Sequence, residues 1–246
     1  MALIQMDFMA ESIQRFTSVN VLLPVDASSG VQAGPFPALY LLHGYEGNYM
    51  DWVSYTRIAR LAPALGLAVV MPSGENAYYL DFPERAEYFE TYIASELVAF
   101  TRTAFPLSTR REDTFLAGLS MGGGGALRLG LRHSGVFGKV AALSAGITVE
   151  KEAKELGHGA DLAKTLQDAL ARRVPLPELF LSIGTEDPLL QVNRDYHALL
   201  QRCGVSHTYE EHPGGHTWDY WDGHLPDMLG WLLPQSGGAA AKEREV

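Results

Sequence analysis

Short runs of apolar residues alternate along the chain with longer stretches in which apolar positions recur at helical spacing. The runs Val19–Leu23, Ala38–His43, Leu67–Met71, Thr114–Leu119, Val140–Ser144, Leu179–Ile183 and Thr208–Glu211 predict strands. Most are continuous rather than alternating, which suits strands covered on both faces. Between them, Asp51–Leu65, Arg85–Phe105, Met121–His133, Leu189–Cys203 and Trp218–Leu232 predict helices. In the second of these, Tyr88, Tyr92, Leu97 and Phe100 share one stripe, and Pro106 supplies the stop. Pro226 falls inside the last segment, where the missing N–H predicts a bend or a late start. This order of elements predicts an α/β fold: a mostly parallel central sheet flanked by helices on both faces.

Residues 1–234 read as a single domain and 235–246 (QSGGAAAKEREV) as a flexible, solvated C-terminal tail. Ser28–Pro37 reads as a loop, and the charged, Ala-rich stretch Val149–Pro177 as one or two short helices over the edge or rim of the sheet. No internal repeat is present. The chain has 246 residues, 47% of them hydrophobic, so a sizeable core is available and disorder is excluded. Its formal charge of −10, with no basic cluster, argues against nucleic acid or an anionic membrane as partner. The one cysteine, Cys203, leaves no intramolecular disulfide and no CxxC pair. Asp7 and Glu11 interrupt the N-terminus where a signal peptide needs an apolar run, and no stretch is apolar enough to span a bilayer, so the expected location is cytoplasmic.

The strongest chemical signal is Gly118-Leu119-Ser120-Met121-Gly122, a G-x-S-x-G set between a predicted strand and a predicted helix. A serine hydroxyl needs a sharp, exposed turn and a base to become a nucleophile, and glycines two before and two after leave room for that turn. The competing reading is a glycine-rich phosphate cradle, but no GK[ST] follows. In this kind of fold the acid and then the base come later in the chain. Asp187, beyond the run Leu179–Ile183, is the candidate acid, with its neighbour Glu186 as the competitor. His216, in Pro213–Trp218, is the candidate base; His207, His212 and His224 compete. A zinc pair of His212 and His216 is disfavoured, because the Pro-Gly-Gly between them prevents the helix that spacing needs. Backbone N–H groups of Tyr45 and Met121 are the candidate oxyanion hole. Glu46, Trp52, Tyr79 and Trp218 are candidates for the substrate pocket, among aromatics that gather near the expected rim. No cofactor and no metal is expected.

Four blocks, LYLLHGYEGNYMDW, FLAGLSMGGGGALRLGL, IGTEDPLL and GGHTWDYW, resemble in order and spacing the esterase D-like α/β-hydrolases, and within them the tributyrin esterases. The resemblance runs from about Asp7 to Leu232. It implies a serine carboxylesterase acting on short-chain acyl esters through an acyl-enzyme, with Ser120 as nucleophile, Asp187 as acid and His216 as base. Feruloyl or acetyl-sugar esterase, acyltransferase and S-formylglutathione hydrolase-like thioesterase are the alternatives. The thioester reading is weakened because Tyr45-Glu46-Gly47-Asn48 lacks the cysteine usual in that branch. The expected partner is a small-molecule ester, with no nucleic acid and no membrane; association into a homo-oligomer is left open.

Overall fold

The computed structural model of the chain describes residues 1–25, 34–148, 155–157 and 159–233. The tail 235–246, most of the predicted loop Ser28–Pro37 and the first residues of Val149–Pro177 lie outside the described residues. At one edge of the sheet, β1 (Ala2–Ala10) pairs antiparallel with β2 (Arg15–Leu23), and β2 pairs antiparallel with β4 (Ala68–Pro72). From β4 the sheet runs parallel through β3 (Ala38–Leu42), β7 (Thr114–Leu119), β8 (Lys139–Leu143), β9 (Glu178–Gly184) and β10 (Thr208–His212). A small separate ribbon joins β5 (Asp81–Phe82) to β6 (Glu87–Tyr88).

The continuous apolar runs have a simple cause: successive side chains enter two different cores. Tyr40, Leu42, Leu116 and Val140 go to one face, while Leu39, Leu41, Phe115 and Ala141 go to the other. The second core is covered by α1 (Asp51–Tyr55), α2 (Ile58–Ala64) and α8 (Trp218–Leu232), which bury Trp52, Ile58, Trp221 and Leu225. The first is covered by α3 (Phe89–Thr91), a π turn at Tyr92–Glu96, α4 (Leu97–Ala104), α5 (Met121–Arg132), α6 (Leu162–Ala171) and α7 (Leu190–Arg202). The sheet is therefore mostly parallel between two helical layers, as in α/β-hydrolases. Among the described residues, no helix is long and apolar enough to cross a membrane.

Two helix expectations are corrected. Asp51–Leu65 is two helices, because Thr56 is extended (φ −134°, ψ 169°) and the next N–H, that of Arg57, is drawn onto Asp222 Oδ1 at 2.7 Å. The segment Arg85–Phe105 becomes helical only at Phe89, after a 3-10 turn that ends on left-handed Ala86; Asp81 caps it by accepting from Thr91 N at 3.1 Å and Thr91 Oγ1 at 2.9 Å. The last helix does not start late: it spans Trp218–Leu232 with Pro226 inside it. The carbonyl that Pro226 cannot bond, that of Asp222 one turn earlier, accepts instead from Arg57 Nη2 at 2.8 Å.

Candidate active site

Adjacent parallel strands deliver their following loops to the same rim, and three such loops meet here. Ser120 ends β7 and opens α5 at φ 52°, ψ −120°, a conformation that costs an L residue about 1–3 kcal/mol unless its surroundings impose it. They do so through three main-chain bonds: Ser120 N to Leu143 O at 3.0 Å, Gly146 N to Ser120 O at 2.7 Å and Gly124 N to Ser120 O at 3.0 Å. The flanking glycines are sterically required. A Cβ on Gly118 would lie 2.5 Å from the Gly122 carbonyl, and one on Gly122 would lie 2.5 Å from the His43 oxygen.

His216 bridges the other two side chains, with Nε2 2.9 Å from Ser120 Oγ and Nδ1 2.8 Å from Asp187 Oδ2. Asp187 stands beyond β9 with a side chain 0% exposed. Burial raises its pKa, but hydrogen bonds from His216, the Leu189 N–H and the Ser144 hydroxyl outweigh it and hold the carboxyl below the usual aspartate range. That acceptor set fixes the tautomer: Nδ1–H donates to the carboxylate, leaving Nε2 to accept from Ser120. Trp221 stands edge-on to His216 at 5.0 Å and donates its Nε1–H to Ser144 Oγ at 3.1 Å. The arrangement has what a proton transfer from Ser120 to His216 needs: contact, orientation and a buried counter-charge.

The competing residues are engaged elsewhere. Glu186 accepts from Gly214 N and from Thr185 Oγ1 at 2.9 Å, while its own N–H donates to Gly214 O at 3.0 Å, so it braces the loop that carries His216. His207 meets His197 at 2.7 Å and Val205 O at 2.8 Å, whereas His212 stacks on His224 at 4.3 Å. Among the described residues, no group of three metal-ligating side chains forms.

The turn after β3 lies against Ser120: a Cβ on Gly44 would be 3.5 Å from Ser120 Cβ. Glu46 is exposed and left-handed (φ 62°), and its N–H donates to Asn76 Oδ1 at 2.7 Å. Tyr45 is exposed, its ring 5.9 Å from that of Tyr78. Two pocket expectations are corrected. Trp52 and Tyr79 are buried and serve the framework, Trp52 Nε1 donating to Leu42 O at 3.0 Å and Tyr79 OH to His43 O at 2.9 Å. Trp218 is half-buried among Trp52, Tyr55 and Trp221. Ser144 and Asn76 escaped the sequence reading, since neither sits in a motif. The small-residue run Ser144-Ala145-Gly146 directly after a predicted strand core was the signal for the former.

A strained serine turn on a parallel sheet, with its histidine and buried aspartate on later loops, places the molecule among the α/β-hydrolases that work through a serine. The family model for putative esterases matches residues 10–232, and the chain belongs to that family of hydrolytic enzymes. It is 34% identical over 261 residues to an acetyl esterase of Caldicellulosiruptor saccharolyticus, covering 94% of this chain and 98% of that protein. Two solved Staphylococcus aureus structures, the S-formylglutathione hydrolase FrmB and the fluorophosphonate-binding serine hydrolase FphF, superpose with TM-scores of 0.84. Each is 29% identical, over 94% of this chain and 98% of theirs.

Proposed function

We propose that the protein is a carboxylesterase for short-chain acyl esters and works through an acyl-enzyme on Ser120. The observation that carries this reading is the His216 ring, hydrogen-bonded to Ser120 Oγ on one side and to the buried Asp187 carboxylate on the other. His216 Nε2 takes the hydroxyl proton as Oγ bonds to the ester carbonyl carbon. The N–H groups of Tyr45 and Met121 receive the oxyanion, and the Met121 group has the positive end of α5 behind it. His216 then returns the proton to the departing alkoxide. Water repeats the sequence in reverse, releasing the acid and restoring Ser120.

A groove of about 450 Å³ that includes Gly146 is lined by Tyr78, Ile147, Leu156, Leu189 and Val192 together with the polar Thr148 and Glu155, and this supports an acyl-side site. The relative named acetyl esterase supports the short-chain reading. A kcat/KM series over p-nitrophenyl esters from acetate to octanoate tests it, with methyl ferulate, acetylated xylan and S-formylglutathione alongside. The expected maximum lies at the short end. A maximum on the thioester or the ferulate would replace the reading, and net transfer to an added alcohol in preference to water would make the enzyme an acyltransferase.

A further inference from the structure

An oxyanion hole of the kind proposed draws its two donors from different elements, Met121 from α5 and Tyr45 from the turn after β3. Something must therefore hold that turn at a fixed distance from the helix. Three of its bonds lead to the segment Gly74–Tyr79: Tyr79 OH donates to His43 O at 2.9 Å, Gly74 N donates to His43 Nε2 at 2.7 Å, and Glu46 N donates to Asn76 Oδ1 at 2.7 Å. His43 closes the set with Nδ1–H donating to Gly44 O at 2.7 Å. A carbonyl can only accept and an amide can only donate, so the ring is the neutral Nδ1–H form. Burial lowers its pKa, which keeps it so.

The segment is in turn fastened to the nucleophile helix. Tyr78 and Tyr79 are consecutive left-handed residues (φ 51° and 55°), a pairing that non-glycine residues adopt only when held. One guanidinium nitrogen of Arg128, on α5, donates to both their carbonyls, at 3.1 Å to that of Tyr79. Arg128 is buried. The Tyr79 ring fills a slot with no spare room, since a Cβ on Gly74 or on Gly125 would lie 2.1 or 2.6 Å from its carbons. Ser120, the donor Met121 and Arg128 thus ride on one helix, and Arg128 reaches across to the segment that grips the other donor's turn.

We propose that Tyr79, clamped by Arg128, is a positioning residue that sets the oxyanion turn against the nucleophile helix. The inference rests on the esterase reading of Ser120. Tyr79→Phe removes one oxygen and leaves the ring in its slot. Tyr40→Phe is the matched control, because Tyr40 also buries a phenol hydrogen bond, to Thr101 Oγ1 at 2.8 Å, but within the core.

For p-nitrophenyl acetate, Tyr79→Phe is expected to lower kcat about 10–100-fold with KM changed less than about twofold, as for an oxyanion donor displaced rather than deleted. The affinity of a trifluoromethyl ketone, which forms an oxyanion on Ser120, should fall by the same factor. Tyr40→Phe should lower Tm comparably and leave kcat and ketone affinity alone. Arg128→Lys should retain more kcat than Arg128→Met. Wild-type kcat and ketone affinity in a folded Tyr79→Phe enzyme would overturn the proposal, as would an equal loss of kcat in Tyr40→Phe. A folded wild-type protein inert to esters and to a fluorophosphonate would instead overturn the esterase reading, and this inference with it.

Discussion

Asp187 keeps its charge where water cannot reach it, and two measurable consequences follow at the scale of the residue. Its pKa is depressed in the fold, so it contributes stability above the ordinary aspartate range and loses it as pH falls through the lowered value. The stability gap between wild type and Asp187→Asn, measured by urea unfolding, should be widest near neutral pH and close in acid. The same change leaves His216 without the acceptor that fixes its tautomer, and kcat should drop about 10⁴-fold. Ser120→Ala should cost about 10⁴–10⁶ in kcat on p-nitrophenyl acetate, to be compared with a fluorophosphonate-labelled wild type. The residues of the proposed triad were legible because each stands in a short block with a stereotyped neighbourhood. Ser144 and Asn76 were not, because they act only through partners far along the chain. Trp52 and Tyr79 misled because an aromatic beside a rim loop looks the same in sequence whether it faces a ligand or the core.

At the scale of the element, α5 opens with four glycines in the wrong place for helix propensity, since each Gly-to-Ala change in an open helix would gain about 1 kcal/mol. Packing decides the sign here. A Cβ on Gly124 would lie 2.1 Å from the Gly146 carbonyl oxygen, a backbone atom that itself lies beside the serine turn. Gly124→Ala is expected to destabilise the fold by about 1–3 kcal/mol in thermal or urea unfolding and to depress activity, against the propensity scale. The Asp222 carbonyl freed by Pro226 makes a second test. Arg57→Met should cost about 1–2 kcal/mol in wild type, and clearly less in a Pro226→Ala background, where the helix can make its own bond; a double-mutant cycle measures the difference. The span of the last helix was read from periodicity, but the break at Thr56 and the partner that lets the helix carry Pro226 were not, because both rest on bonds between the distant residues Arg57 and Asp222.

At the scale of the molecule, the two-core sheet was legible because a doubly covered strand must be apolar at every position. The edge strand β1 was not, although its partner β2 was read in part as Val19–Leu23. In β1 the alternation is confined to Ile4-Gln5-Met6-Asp7-Phe8, because the outward positions Leu3 and Met9 on either side of it are as apolar as the inward ones. That edge also carries an exposed Phe16 opposite Met9 and contains neither lysine nor arginine in β1, a combination that invites strand-to-strand aggregation. The charge of −10 opposes this near neutral pH. Met9→Lys should leave kcat unchanged and shift stability by less than about 0.5 kcal/mol, while light scattering on heating falls.

The distance along the chain between the proposed nucleophile and its base, 96 residues, also sets an order of events. During synthesis the serine turn leaves the ribosome well before the strand, loop and final helix that present His216. Until β10 and α8 have docked, Ser120 is an ordinary alcohol with nothing to accept its proton. The nascent chain is thereby latent by construction, and in refolding the return of ester hydrolysis times the arrival of the C-terminal elements.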